Sequence, residues 1–456
     1  MKNISSTLQD NTVITTSPVT RLRWGIIVIL LTAAIINYLD RANLSIANTT
    51  IAKEFGFSAT QMGMLLSAFL WPYALANLPA GWLVDKLGPK KMFSGAVGLW
   101  STFTVLAGFI NGYSMFYGLR MLLGIAESPF FTSGIKITHR WFSARERGLP
   151  TAIINTGSQI ANAVAPPILT VLLLTLGWRG MFVAIGLAGI PLLLVWLKFY
   201  REPTAAEERD IHAEEEAAAS ASSDETAKSQ QGWGALFRHK TTWFMILGNF
   251  SIMFTIWVYL TWLPGYLEKS LGFTLKQTGW IASIPFLAGI LGVLCGGAIS
   301  DRLIRRGVNT ITARKIPIVM GAALAACFVA PIPFVSNTTL SILLLSLGYF
   351  CSQLPSGVIW TLATDIAPKE QVASLGAIQN FGGFLGAASA PIITGVILDA
   401  TGVFTNVFFL GAGLLMLGAL SYGLFVKKPL IENNHPPRRR APYGALRRTE
   451  PTRNYQ

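Results

Sequence analysis

Charge is what this sequence has least of. Only 13% of its 456 residues are Asp, Glu, Lys or Arg, where a soluble domain carries about 25%. A chain of this length has too little polar surface to fold in water as ordinary domains, which excludes a soluble enzyme. Cysteine is scarce as well: Cys295, Cys327 and Cys351 all fall in apolar stretches and form neither a disulfide framework nor a metal-binding spacing. The four histidines lie in expected loops or tails, which argues against a histidine proton relay within a membrane. No Gly-x-x-x-x-Gly-Lys-Ser/Thr run occurs, so energy is expected from a gradient and not from nucleotide hydrolysis. The polar first 23 residues lack the features of a cleaved leader, and the first apolar run is expected to be retained as a span.

Apolar residues, by contrast, make up 52% of the chain. A membrane-crossing helix needs about 20 of them in succession, and twelve such stretches can be laid out. They are 24–46, 61–83, 91–110, 114–137, 149–174, 178–199, 241–263, 279–300, 315–335, 340–363, 373–397 and 404–427. The predicted organisation is an N-terminal tail (1–23), a first bundle of six helices (24–199), an acidic linker (200–240), a second bundle of six (241–427) and a basic tail (428–456). The net charge of +14 could suggest nucleic acid, but its distribution favours membrane topology. The connections after spans 2, 4, 8 and 10, with the residues flanking them, hold thirteen Lys and Arg, including Lys86, Lys90, Lys91, Lys136, Arg140, Arg145, Arg305, Arg314 and Lys369. Those on the other side hold four: Lys53, Arg179, Lys269 and Lys276. The basic side is expected to be cytoplasmic, with both termini and the linker.

An internal repeat supports the division. Gly81-Trp-Leu-Val-Asp85-Lys follows span 2, and Gly297-Ala-Ile-Ser-Asp301-Arg follows span 8; both the glycines and the aspartates are 216 residues apart. Duplicated halves around a central site are the usual architecture of secondary transporters. Gly81, Asp85, Gly297 and Asp301 are read as switch loops, because an aspartate at a helix end can hold a helix N-terminus or a nearby Lys or Arg in one state and release it in another.

Four ionisable residues fall well inside the predicted spans: Asp40, Arg41, Arg120 and Glu127. Each costs about 2.5–3.5 kcal/mol at a bilayer centre even on lenient scales, so together they predict a polar cavity. Arg120 and Glu127 are seven residues apart and share a helical face, whereas Asp40 and Arg41 diverge by about 100°. Two arginines suit a carboxylate or phosphate. Two acids whose surroundings change during a cycle suit proton coupling. The second half has no buried charge but offers Tyr259, Trp262, Gln353, Trp360, Gln379 and Asn380, groups suited to hydroxyls.

Asn37-Tyr38-Leu-Asp40-Arg41-Ala-Asn43, Arg120-Met-Leu-Leu-Gly124-Ile-Ala-Glu127-Ser-Pro129 and Gly177-Trp178-Arg179, with the paired Gly-x-x-x-Asp loops, resemble the major facilitator superfamily and, within it, the anion:cation symporters of bacterial sugar acids. The resemblance spans residues 20–428. It implies an all-α fold of twelve transmembrane helices in two pseudo-symmetric bundles, in a bacterial inner membrane, working as a monomer without cofactor. It implies inward symport of a sugar-acid carboxylate with H+, galactonate or a related aldonate first, with glucarate, galactarate, a hexuronate or another organic anion as alternatives. Arg41 and Arg120 would hold the carboxylate, Tyr38 and Gln159 would line the site, Trp360 and Asn380 would contact the polyol, and Asp40 and Glu127 would couple protons. The lower-ranked reading is a membrane sensor or scaffold without flux. No nucleic-acid partner is expected.

Overall fold

The computed structural model describes residues 18–143, 146–211, 213, 233–367, 371–427 and 430. Arg145, Lys369, the middle of the linker and most of both tails, all read above, lie outside the described residues. Among the described residues every regular element is helical. The first half comprises α1 (Pro18–Ile46), α2 (Asn48–Phe55), α3 (Ala59–Ser67), α4 (Leu70–Leu87), α5 (Pro89–Ala107), α6 (Tyr113–Glu127), α7 (Pro129–Trp141) and α8 (Gly148–Phe199). The second comprises α9 (Lys240–Lys269), α10 (Leu275–Ile281), α11 (Ser283–Arg305), α12 (Thr310–Val329), α13 (Thr338–Gln353), α14 (Ile359–Ile366), α15 (Val372–Thr401) and α16 (Thr405–Leu420).

Among the described residues, eight stretches are long and apolar enough to cross a membrane by length and composition, including Arg21–Ile46, Gly148–Phe199, Lys240–Lys269 and Ser374–Thr401. The chain is an all-α polytopic membrane protein. Four spans expected to be continuous are interrupted. The stretch 61–83 breaks between α3 and α4, 279–300 breaks at Ala282 between α10 and α11, 340–363 breaks between α13 and α14, and 114–137 breaks at Ser128. There Pro129 has no N–H to continue the ladder, and the Ser128 N–H and hydroxyl both donate to the Ile125 carbonyl, at 3.3 and 2.9 Å. Conversely, 149–174 and 178–199 lie within the single element α8, which turns at Gly177 with φ 68°, a conformation open to glycine at little cost. The turn presents Trp178 and Arg179 to Glu54 of α2, with Trp178 Nε1 donating to one carboxylate oxygen and Arg179 to the other, each at 2.5 Å. The Gly-Trp-Arg motif is therefore a clasp between the end of one helix pair and the loop after α1.

The 216-residue register reaches well beyond the two basic loops. Ser58 and Gln61 cap α3 in a reciprocal capping box, and Thr274 and Gln277 do the same for α10 at the same offset. Gly63 and Gly279, also 216 apart, are each a close-contact point. A Cβ on Gly63 would run into the Pro391 carbonyl of α15, and one on Gly279 into Thr170 of α8. In this way α3 seats on α15 and α10 on α8, and each seam joins the two halves.

Hydrogen bonds fasten the halves at the end opposite the basic loops. Ser45 donates to the Thr261 carbonyl at 2.9 Å, and Thr49 to Glu268 at 2.5 Å. Asp399, near the end of α15, accepts the Ala59 and Thr60 amides at the N-terminus of α3, at 2.9 and 2.8 Å. At the basic end each switch-loop aspartate pairs inside its own half instead, Asp85 with Lys136 at 2.7 Å and Asp301 with Arg314 at 2.9 Å.

Two outcomes are expected. Asp399→Asn removes the charge from the α3 N-terminus, an interaction worth about 0.3–1 kcal/mol near a surface, so the Ala59 and Thr60 amides should lose protection by about two- to fivefold. Unchanged hydrogen exchange there would refute the tie. The indole N–H of Trp178, followed by the Arg179 guanidinium, holds the Glu54 carboxyl below its ordinary range. A carboxylate depressed on folding stabilises the fold above its unfolded pKa of about 4.3, and that contribution fades as pH falls through the lower folded value. Glu54→Gln should therefore lower Tm at pH 7, with the gap to wild type closing below about pH 4. A gap independent of pH would show that the clasp does not depend on the charge.

Candidate functional site

The site is built where α1, α6 and α4 meet. A helix that turns about 100° per residue sends neighbouring side chains apart, and α1 uses this to separate Asp40 from Arg41. Arg41 reaches toward α6 and pairs with Glu127, Nε to Oε2 at 2.9 Å. Its guanidinium also sits in an aromatic cage, 4.6 Å from the Tyr38 ring centroid and 4.7 Å from those of Phe69 and Tyr73. Cation–π contacts with desolvated rings add attraction and fix the plane of the guanidinium. Glu127 is fully buried, so its charge depends on this partner.

Arg120 lies about two turns before Glu127 on the same α6 face. It donates weakly to the Asp40 backbone carbonyl at 3.5 Å and faces Phe69 at 5.7 Å. The Asp40 side chain turns the other way, fully buried against Thr104 of α5. Among the described residues it forms no ion pair. The four charges sum to zero, but only one pair is closed. Among the described residues Arg41 Nη2 and Arg120 Nε have no acceptor, and the Asp40 carboxylate and Glu127 Oε1 have no donor. Buried polar groups left unsatisfied are costly, which suits a site that takes a ligand.

Both arginines border a cavity of about 40 Å³ lined also by Tyr38, Asn162, Trp257 and Thr261. That admits one or two waters and is far below the about 300–1,000 Å³ of a pocket enclosing a ligand, so the site is contracted in this state. The arginines and Tyr38 face this space, while Asp40 and Glu127 stand behind them. Any anion in the cavity meets the acids only through the arginines.

The other expected residues are placed less centrally. Gln159 is half-buried on α8, one turn before Asn162. Trp360 does not border the arginine cavity. Ile359, Leu362, Ala363 and Ile366 take the buried face of α14, which leaves Trp360 on the opposite side, 52% exposed. Asn380 is half-buried on α15 and also stands off the cavity. Several donors of the second half are engaged in its own packing: Tyr259 donates to the Leu345 carbonyl, Trp262 to Pro391, Gln353 to the Tyr349 hydroxyl and Gln379 to Ile359. Trp257 of α9 provides the second half's wall instead, and it lies 216 residues after Arg41. The repeat register could have found it. Phe69, Tyr73 and Thr104 carried no signal beyond being polar or aromatic within a span.

A polytopic helical chain with cationic side chains aimed into a central cavity is built as a membrane transporter, not as an enzyme. It belongs to the Major Facilitator Superfamily, whose profile matches residues 30–381. It is 38% identical over 92% of its length to a protein of Escherichia coli (strain K12) described as "Probable L-galactonate transporter", covering 93% of that protein. It is 34% identical to "Probable galactarate/D-glucarate transporter GarP" of the same strain, over 86% of this chain and 92% of the relative. Among solved structures, a bacterial homolog of the human lysosomal transporter Spinster, inward-facing and occupied, superposes with a TM-score of 0.73 at 16% identity, covering 89% of this chain and 97% of that one. At that identity the likeness speaks for the fold.

Proposed function

We propose that this protein is a secondary active transporter that carries a sugar-acid anion into the cell together with protons by alternating access, with D-galactonate or a related aldonate as substrate. The observation that carries this reading is the cavity whose two arginines keep free donors while two acids stand buried behind them. The two relatives named above are described as transporters of sugar acids, galactonate in one case and galactarate or glucarate in the other. A further relative, 33% identical, is described as a probable transporter of sulfoacetate, a smaller organic anion. The chain is read as twelve spans in two six-helix bundles joined by the 200–240 linker, monomeric, in the inner membrane, with both termini cytoplasmic. The fastened end opposite the basic loops then makes this an outward-closed state.

The geometry supports a scheme for the coupling. With the cavity empty, Glu127 satisfies Arg41. A substrate carboxylate bridging Arg41 and Arg120 competes for the same guanidinium, and the displaced Glu127, fully buried, is far less costly protonated than charged. Substrate and proton are thereby loaded together. Release of both restores the Arg41–Glu127 pair, which lets the empty carrier return. Asp40 is the second acid, set apart from the arginines' cavity against Thr104. The wall opposite Arg41 is the uncharged Trp257, which favours a substrate whose far end carries hydroxyls. A dicarboxylate such as glucarate is the second reading, supported by the galactarate/D-glucarate relatives.

Proteoliposomes given an inward proton gradient should accumulate labelled galactonate above equilibrium, with unlabelled gluconate competing better than glucarate. Uptake that survives a proton ionophore and follows sodium would overturn the proton assignment, and glucarate competing tenfold better would overturn the aldonate ranking. Arg120→Ala should abolish binding and transport together, because removing one partner of a buried charge cluster costs about 2–5 kcal/mol. Glu127→Gln keeps the shape but fixes the neutral state, so galactonate exchange should survive while pH-driven accumulation is lost. Exchange abolished as completely as in Arg120→Ala would make Glu127 a binding or folding residue. Driven uptake left intact would leave Asp40 as the coupling acid.

A further inference from the structure

An apolar groove of about 420 Å³ lies away from the arginines, between α4, α5 and the α6–α7 junction. Small residues create it. Ala76 and Ala80 on α4 and Gly95 on α5 line it, and a Cβ at Gly95 would meet no atom within 4 Å. Leu99, Leu122 and Ile125 on its rim are 52%, 44% and 47% exposed. In a membrane-spanning chain such a rim opens sideways, to acyl chains.

The groove does not end in apolar surface. Lys91 borders it and also borders a polar cavity of about 700 Å³ at the basic end, which includes Lys86, Lys90 and Lys136. The carboxylates there are already engaged: Asp85 with Lys136, and Glu202 and Glu208 with Arg140 at 2.8 and 3.0 Å. Among the described residues, Lys86, Lys90 and Lys91 form no ion pair. Lys86 stands 4.9 Å over the ring of Trp82, itself 59% exposed, as an aromatic at the headgroup level would be. Lys91 on the border of the groove, with Lys86 and Lys90 in the polar cavity that shares it, makes an apolar slot with a basic end, complementary to one class of molecule.

We propose that this groove is a binding site for an anionic phospholipid, one acyl chain lying between α4 and α5 and the headgroup phosphate resting on Lys86, Lys90 and Lys91. Basic pockets at helix ends bind acidic headgroups by the same electrostatics. Neither the charge nor the groove suffices alone. A zwitterionic lipid would fill the groove without neutralising the lysines, and inorganic phosphate would meet the lysines without burying anything.

The test is native mass spectrometry of the full-length protein, exchanged into detergent with dioleoyl phosphatidylglycerol and dioleoyl phosphatidylcholine at equal mole fraction. Wild type should retain one phosphatidylglycerol in preference to phosphatidylcholine by on the order of tenfold. Lys90→Ala with Lys91→Ala should retain the two lipids equally. Gly95→Leu should lose both, because a Cβ at Gly95 meets no atom within 4 Å, so the added side chain fills the groove without disturbing the protein's own packing. The two variants act on different parts of the site, and either one that keeps its helical spectrum is sufficient. Inorganic phosphate in excess should not displace the lipid. Preference for phosphatidylglycerol that persists in a folded variant, or displacement of the lipid by phosphate alone, would overturn the proposal.

Discussion

The rest of the structure depends on a constraint of solvation: charges inside a bilayer must be answered by something the protein supplies. Removing one partner of a buried pair costs about 3–5 kcal/mol because the other charge is left uncompensated, so Glu127 on α6 and Arg41 on α1 stay together unless another charge takes the place of one of them. The aromatic cage of Tyr38, Phe69 and Tyr73 then explains why α4 lies where it does. It offers the guanidinium a polarisable surface on the side the carboxylate leaves open. The interruption of α6 at Ser128 falls one residue after Glu127. The irregular backbone thus sits beside the buried acid, where a reorganising site needs its compliance.

The same constraint separates the jobs of the two acids. Glu127 is tied directly to a cavity-lining arginine, so its proton affinity responds to whatever that arginine binds. Asp40 shares with Arg120 only a weak contact through its own backbone carbonyl. It responds to α5, a helix packed on α8 and α6, and therefore to rearrangement of the first half. In the proposed cycle substrate occupancy is sensed by Glu127 on α6 and helix movement by Asp40 on α1.

Much of this was legible in the sequence, and for a physical reason in each case. Buried charge is so expensive that Asp40, Arg41, Arg120 and Glu127 announced a common site, and the structure does gather them. The duplication was visible through Asp85 and Asp301, yet its stronger marks were the Ser58 and Thr274 capping boxes and the Gly63 and Gly279 contact points. These are ordinary residues whose significance appears only when the two halves are read in register. What the sequence could not show was which neutral residues face the cavity. Trp360 and Trp257 are both tryptophans within apolar helices, and a one-residue difference in helical phase turns a ring by about 100°. The breaks at Ser128 and between α3 and α4 were hidden because composition measures apolar length and not the continuity of backbone hydrogen bonds.

The register also clarifies how two similar halves came to do different work. Ser45 and Thr261, equivalent by the 216-residue offset, bond to each other where α1 crosses α9, which puts a pseudo-twofold axis through that crossing. One turn away along the same pair of helices, Arg41 faces Trp257 across the cavity. On one side of the axis the position carries a charge held by Glu127; on the other it carries an uncharged ring. A symmetric pair of arginines would bind a doubly charged or two-ended anion and would need two compensating acids to cross the membrane empty. With an aromatic at one of the two positions, the buried charges Asp40, Arg41, Arg120 and Glu127 all lie in the first half, and in the proposed cycle the second half meets them through the uncharged ring of Trp257.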